Sequence, residues 1–190
     1  MIDPEPKRGS VFQWAWIFYL VLAVAGIVWL GARRGTIDLT LFIGSTSWPI
    51  DLAVGIAVGA ALSAGWELSR RLLPQALTIE KHFSAILGPM SVSEAVALAV
   101  LSAIAEEFFF RGAVQDAFGF LPAAALFTVL HLGPGRDFRL WTLFAAVAGL
   151  VLGGLMAWRE ALLAPIVAHA LVNGIGLSRL AGADERRSAE

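Results

Sequence analysis

No cysteine occurs anywhere in the 190 residues. That removes disulfides, thiolate nucleophiles and cysteine-type zinc sites together, so any metal would have to be held by histidine and carboxylate. Charge is scarce as well, with 15% of residues Asp, Glu, Lys or Arg against roughly a quarter in soluble domains. Nor is there a basic excess: a formal net charge of -1 excludes nucleic acid as a partner, because phosphate recognition needs a cationic surface. What is present instead is apolar. At 58% hydrophobic, the chain reads as an integral membrane protein whose surroundings are the lipid bilayer.

Residues 11–32 carry no charge over a length that spans a bilayer core, follow Lys7 and Arg8, and lack a small-residue cleavage site. They read as a retained first helix and not a signal peptide. A loop bearing Gly35, Asp38, Ser45, Ser47 and Pro49 separates it from a second span that begins near Asp51. Glu67 and Arg71 close that span, four apart and thus an interfacial ion pair. Residues 74–89 mix Glu80, Lys81 and His82 with Phe83, Ile86 and Leu87, which suits an amphipathic segment lying in the interface. His82 reads there as a solvated surface residue.

Ser91 and Glu94 form a capping box, predicting a third helix over 92–118. Pro122 opens a short fourth helix that Gly133-Pro134-Gly135 ends. Residues 140–158 are uncharged, with Gly149, Gly153 and Gly154 as packing positions. A sixth helix has Pro165 in its first turns and carries His169 and Asn173, and the polar stretch 182–190 is expected to be a flexible tail. The fold class is therefore all-α: a polytopic transmembrane bundle of about six helices plus an interfacial segment, one domain over 1–190. Its motif-bearing core is 91–177. With six spans both termini share one side, and the excess of Lys and Arg on that side predicts that it is cytoplasmic.

Within this apolar chain, residues 105–112 stand out. Glu106, Glu107 and Arg111 lie in the third helix, where each charge costs roughly 2.5 to 3.5 kcal/mol at a helix centre in lipid. Three within six residues demand a compensating use. Glu107 and Arg111 are four apart, share a face, and can pair as an architectural support. Glu106 points about 100° away and is left free for proton transfer.

Depth brings other groups to its level. At a rise of about 1.5 Å per residue, Glu106 lies about 16 Å down the third helix and His131 about 15 Å down the fourth; His169 lies about 13 Å down the sixth. His131 can hold a water with Glu106, the glutamate taking the proton as the water attacks a carbonyl. His169 and Asn173, four apart, can donate to one developing oxyanion. Phe127, one turn before His131, would wall the water site. The alternative is a structural ion pair with satisfied core histidines, or a non-catalytic membrane binding protein or small ion or ligand transporter that uses the same buried charges.

As patterns these are E-E-x-x-x-R from Glu106 to Arg111, F-x-x-x-H from Phe127 to His131, and H-x-x-x-N from His169 to Asn173. In this order on hydrophobic helices they resemble the three motifs of the CPBP family, which comprises type II CAAX prenyl endopeptidases and the bacteriocin-processing or self-immunity proteins of the Abi group. The stretches E-E-F-F-F-R-G and A-P-I-V-A-H-A-L-V-N carry the likeness, which covers 91–177. The resemblance implies an intramembrane endopeptidase. In it Glu106 is the base, His131 its partner on the water, His169 and Asn173 the oxyanion stabilisers, and Glu107 with Arg111 their support. Its substrate would be a membrane-tethered peptide or protein.

Metal dependence stays open in the sequence. Glu106, His131 and His169 are the ligand types of a three-ligand Zn site, yet the helical H-E-x-x-H is absent; metal-free glutamate chemistry is slightly favoured. The Ala-, Gly- and Leu-rich, cysteine-free composition and short loops point to a bacterial inner membrane. Substrate is expected to enter from the cytoplasmic side, where the short fourth helix and the 133–139 loop leave room.

Overall fold

Long uncharged runs leave their backbone amides no partner in lipid except one another, and they become the long helices of the bundle. The structure, a computed structural model, describes residues 10–37, 40–43 and 48–188. Lys7, Arg8, Asp38, Ser45 and Ser47 of the sequence reading lie outside them. In chain order the helices are α1 (Ser10–Arg34), α2 (Thr40–Ile43), α3 (Trp48–Leu72), α4 (Pro74–Leu87) and α5 (Val92–Glu106). A π-helix (Glu107–Val114) follows, then α6 (Gln115–Phe118), α7 (Phe120–Leu130), a 3₁₀ turn (Arg136–Phe138), α8 (Arg139–Arg159) and α9 (Leu163–Ser188). No strand is present among the described residues.

Among the described residues four helices are long and apolar enough to cross a membrane: Phe12–Arg34, Trp48–Leu72, Arg136–Arg159 and Leu163–Gly182. Pro74–Leu87 and Val92–Phe118, bent by 99° to one another, meet the same measure only when taken together, as one broken span or a re-entrant loop. The protein is thus an integral membrane bundle. The expected short fourth helix is α7, at 11 residues shorter than these spans. The bend falls where Gly88 takes a positive φ and the Ser91–Glu94 capping box, present in full, restarts the chain. α9 runs on past Gly182, where the polar tail of the sequence begins, to Ser188.

α9 is the central post, packed most extensively against α3 and next against α5. Its closest approach is to α3. A Cβ on Gly55 would stand 2.7 Å from the Ala164 carbonyl oxygen, and one on Gly59 2.8 Å from that of Ala168. This small-xxx-small stripe lets the two backbones meet. Of the glycines expected to pack on α8, Gly149 and Gly153 do so, against Phe127 and Phe120, while Gly154 faces open space.

Charges outside the core pair off near the helix ends. Asp51, fully buried, meets Arg159 across α3 and α8, and Arg33 with Arg34 holds Asp116. The expected Glu67–Arg71 pair is present at 3.0 Å, within a network that also includes Arg70, Glu80 and Arg179. His82, as expected, is exposed.

Candidate active site

α5 runs into the π-helix at the point where the chain places its two adjacent glutamates. The wider i→i+5 pairing appears in the bond from the Gln115 amide to the Phe110 carbonyl. Such segments reorient the side chains around them and recur at functional sites. Here Glu106 is the last residue of α5 and Glu107 the first of the π-helix. Both are buried, as are Arg111 and His169, with relative exposures of 5%, 0%, 2% and 7%.

Glu107 is the anchor of the cluster. Its Oε1 accepts from Arg111 Nη1 at 2.8 Å and from His169 Nδ1 at 2.7 Å. The second Arg111 nitrogen, Nη2, donates to the Gly149 carbonyl at 3.2 Å. The guanidinium also lies 4.5 Å from the centre of the Phe127 ring. The expected ion pair is therefore present, and it does more than support its own helix: through Glu107 it fixes the imidazole of α9.

Glu106 faces the other way, toward two imidazole edges. Its Oε2 lies 3.7 Å from His131 Nε2 and 4.0 Å from His169 Nε2. The same oxygen is buried without a hydrogen-bond partner in the protein, a position that a buried carboxylate holds only where water or substrate can satisfy it. His131 caps α7, and its Nδ1 donates to the Phe127 carbonyl at 2.8 Å. A carbonyl only accepts, so Nδ1 carries the proton, and the neutral ring presents Nε2 as an acceptor. Phe127 stacks on that ring at 4.2 Å and meets His169 edge-on at 6.1 Å. It is the shared wall of the site.

Asn173 reaches the same cavity but has a partner that sequence reading missed. Its Nδ2 donates to Ser102 Oγ at 3.0 Å, and Ser102 donates in turn to the Ala99 carbonyl. A signal existed, since Ser102 lies four residues before Glu106 and so on its face of α5. Tyr19 on α1, also unforeseen, lines the same cavity as Glu106. His169 and Asn173 thus share a face as expected, but one is tied to Glu107 and the other to Ser102.

The cavity holds about 260 Å³, and its lining includes Glu106, His131, His169 and Asn173 as well as Trp66 and Glu80. Access by the 133–139 loop does not appear. Phe138 is buried there, packed on Phe83 and His82, and a Cβ on Gly133 would stand 2.3 Å from its ring. The cavity reaches α4 and the end of α3 instead.

A zinc ion bound tetrahedrally at about 2.0 to 2.2 Å would hold its ligand atoms about 3.4 Å apart. The spacings from Glu106 are wider, and no group of three His, Cys, Asp or Glu side chains among the described residues is gathered closely enough to hold an ion. As placed, the residues do not fit a metal.

Acid, imidazole and amide groups are thus gathered on one cavity within a membrane bundle. Residues 88–175, somewhat under half of the chain, match the family described as type II CAAX prenyl endopeptidase Rce1-like. The chain is also 32% identical over 92 residues to the uncharacterized protein YpbD of Bacillus subtilis (strain 168). That match covers 47% of this chain and 47% of the relative, so the likeness extends over about half of each. No solved structure matches the chain.

Proposed function

We propose that the chain is an intramembrane endopeptidase that hydrolyses a peptide bond of a membrane-associated peptide or protein, using a water activated by Glu106. The observation that carries this reading is the unpartnered Glu106 Oε2, set 3.7 Å and 4.0 Å from two imidazole Nε2 atoms that belong to different helices. A water seated there gives one hydrogen to the carboxylate and the other to His131 Nε2, which leaves an oxygen lone pair free to attack. Glu106 takes the proton, the water oxygen bonds to the carbonyl carbon, and the carbonyl oxygen becomes the oxyanion. Glu106 then returns the proton to the departing amine as the C–N bond breaks.

The oxyanion is met by the second Asn173 N–H, the first being held by Ser102. His169 contributes at its Nε2 edge when it carries protons on both nitrogens, and Glu107 is the anion paired with that imidazolium. The residues supply this chemistry without a metal. With α7 counted as a sixth span, the Lys and Arg distribution supports both termini being cytoplasmic, and the Ala-, Gly- and Leu-rich, cysteine-free composition supports a bacterial inner membrane.

The test is cleavage of a panel of membrane-tethered peptides by the detergent-purified protein, comparing wild type with Glu106→Ala and His131→Ala. Cleavage by wild type alone is expected, and equal cleavage by all three eliminates the assignment. A strong chelator in the same assay is expected to leave turnover unchanged.

A further inference from the structure

The stretch between α3 and the capping box has a periodicity of its own. Ala76, Glu80, Phe83 and Leu87 fall four, three and four apart, which puts a carboxylate and two large apolar side chains on one stripe of α4. That stripe turns inward: Ala76 is fully buried, and Glu80, Phe83 and Leu87 line the cavity that holds Glu106. α4 is bounded by a break at each end. Leu73 is extended before Pro74, and Gly88 takes a φ of 71° before Pro89.

Two kinds of contact keep α4 in place. Phe83 meets Trp141 at 5.0 Å and Phe138 at 6.0 Å, and Trp141 in turn lies 6.1 Å from the ring of His131. One indole therefore stands between α4 and a site imidazole. Glu80 supplies the polar contact. It accepts from Trp66 Nε1 at 3.1 Å, and Arg70 Nε lies 2.8 Å from its Oε1 and 2.9 Å from its Oε2, with Arg179 of α9 at 3.8 Å. Glu67, 2.7 Å from Arg70 and 3.1 Å from Arg179, completes a cluster in which α3, α4 and α9 meet. Arg179 lies six residues beyond Asn173, about 9 Å further along α9.

In a bilayer these contacts are unequal. Acyl chains are as apolar as leucine, so an apolar side chain that leaves its neighbours is received by lipid at little cost. Directional polar contacts then decide whether α4 stays closed. Of its own residues only Ala76 and Ile79 are buried, whereas Glu80 is the carboxylate to which α3 and α9 both bring an arginine.

The closed form is also tight. Glu106 and His169 are buried, and the cavity of about 260 Å³ falls below the roughly 300 to 1,000 Å³ that encloses a drug-sized ligand. A peptide that continues on both sides of the scissile bond needs more room, and Phe138 fills the 133–139 side. We propose that α4 is a lateral gate over the cavity and Glu80 its latch: substrate enters when Glu80 releases Trp66 and Arg70 and α4 turns outward about Leu73-Pro74 and Gly88.

The kinetic arm of the test rests on the protease reading, and the labelling arm does not. Because the chain has no cysteine, one introduced thiol is a unique probe in the full-length protein. Ser63 lines the cavity and its Oγ is buried with no hydrogen-bond partner, so Ser63→Cys costs no bond. Its rate of modification by a bulky water-soluble maleimide is expected to rise about tenfold when Glu80→Gln is added, the effect of losing one charge-assisted hydrogen bond. Ala164→Cys is the control, fully buried and fifteen residues from Arg179, about 22 Å along α9; its rate is expected not to change. An unchanged rate at Cys-substituted position 63, or equal acceleration at both positions, overturns the gate.

In the peptide assay above, Glu80→Cys with Arg70→Cys, bridged by a short bifunctional methanethiosulfonate, is expected to lose about tenfold or more of its turnover and to recover it with reductant. Full turnover in the bridged form overturns the proposal. Should no peptide be cleaved even by wild type while Glu80→Gln still exposes position 63, the protease reading fails and the gate stands.

Discussion

Neutralising Glu107 tests the electrostatic logic of the core most directly. Glu107 and Arg111 are almost wholly removed from solvent, and one carboxylate oxygen accepts from both the guanidinium and His169. Glu107→Gln keeps the shape and an acceptor for His169 but leaves Arg111 a full charge with one carbonyl and one aromatic face as partners. A cation over a ring contributes about 2 kcal/mol when desolvated, less than the lost counter-ion. Breaking a buried pair from one side costs about 3 to 5 kcal/mol, whereas removing both charges at similar volume is close to neutral. Glu107→Gln and Arg111→Met should therefore each destabilise by about 3 to 5 kcal/mol, and the double variant should recover most of it, a coupling of at least about 2 kcal/mol. The measurement is unfolding in mixed micelles titrated with SDS and followed by tryptophan fluorescence. Additive losses in the double variant, or a single variant within about 0.5 kcal/mol of wild type, would refute the reasoning.

Two further predictions concern packing and orientation. Gly55→Ala places a methyl group 2.7 Å from a backbone oxygen that cannot retreat and should cost about 1 to 3 kcal/mol; Gly154→Ala, facing open space, should stabilise by up to about 1 kcal/mol, both read in the same unfolding assay. Ser102→Ala releases Asn173 Nδ2 from its anchor and should lower kcat by about three- to tenfold, the equivalent of about 0.5 to 1.5 kcal/mol, with KM unchanged in the peptide assay.

What the sequence disclosed follows from which forces are local. Hydrophobic run length marks α1, α3, α8 and α9 because the solvent there is lipid, and the Ser91–Glu94 box marks the start of α5 because both partners lie within one turn. The four-residue spacings of Glu107 with Arg111 and of His169 with Asn173 were legible for the same reason. The convergence of Glu106 with His131 and His169 could be inferred from depth along three helices, and it appears as the two spacings of 3.7 Å and 4.0 Å.

What was hidden depends on contacts between elements far apart in the chain. Nothing in E-F-F-F-R-G-A-V announces a π-helix, because the choice between i→i+4 and i→i+5 pairing is set by what presses on the turn. Tyr19 lies 87 positions before Glu106 in an apolar run, and only the docking of α1 on α5 brings it to the same cavity. The link from His169 to Glu107 spans 62 positions, and sequence spacing does not say which ring nitrogen is already engaged.

The brevity of α7 bears on how such a site is supplied. Eleven residues make a rod about 16 Å long, half of the roughly 30 Å of hydrocarbon that a full span must cross. Acyl chains beside it cannot stay fully extended without facing the polar Gly-Pro-Gly turn that follows, so the leaflet must dimple against this flank. The imidazole that ends the rod then sits at the floor of a local thinning, shallow enough for solvent to reach although it belongs to a membrane helix.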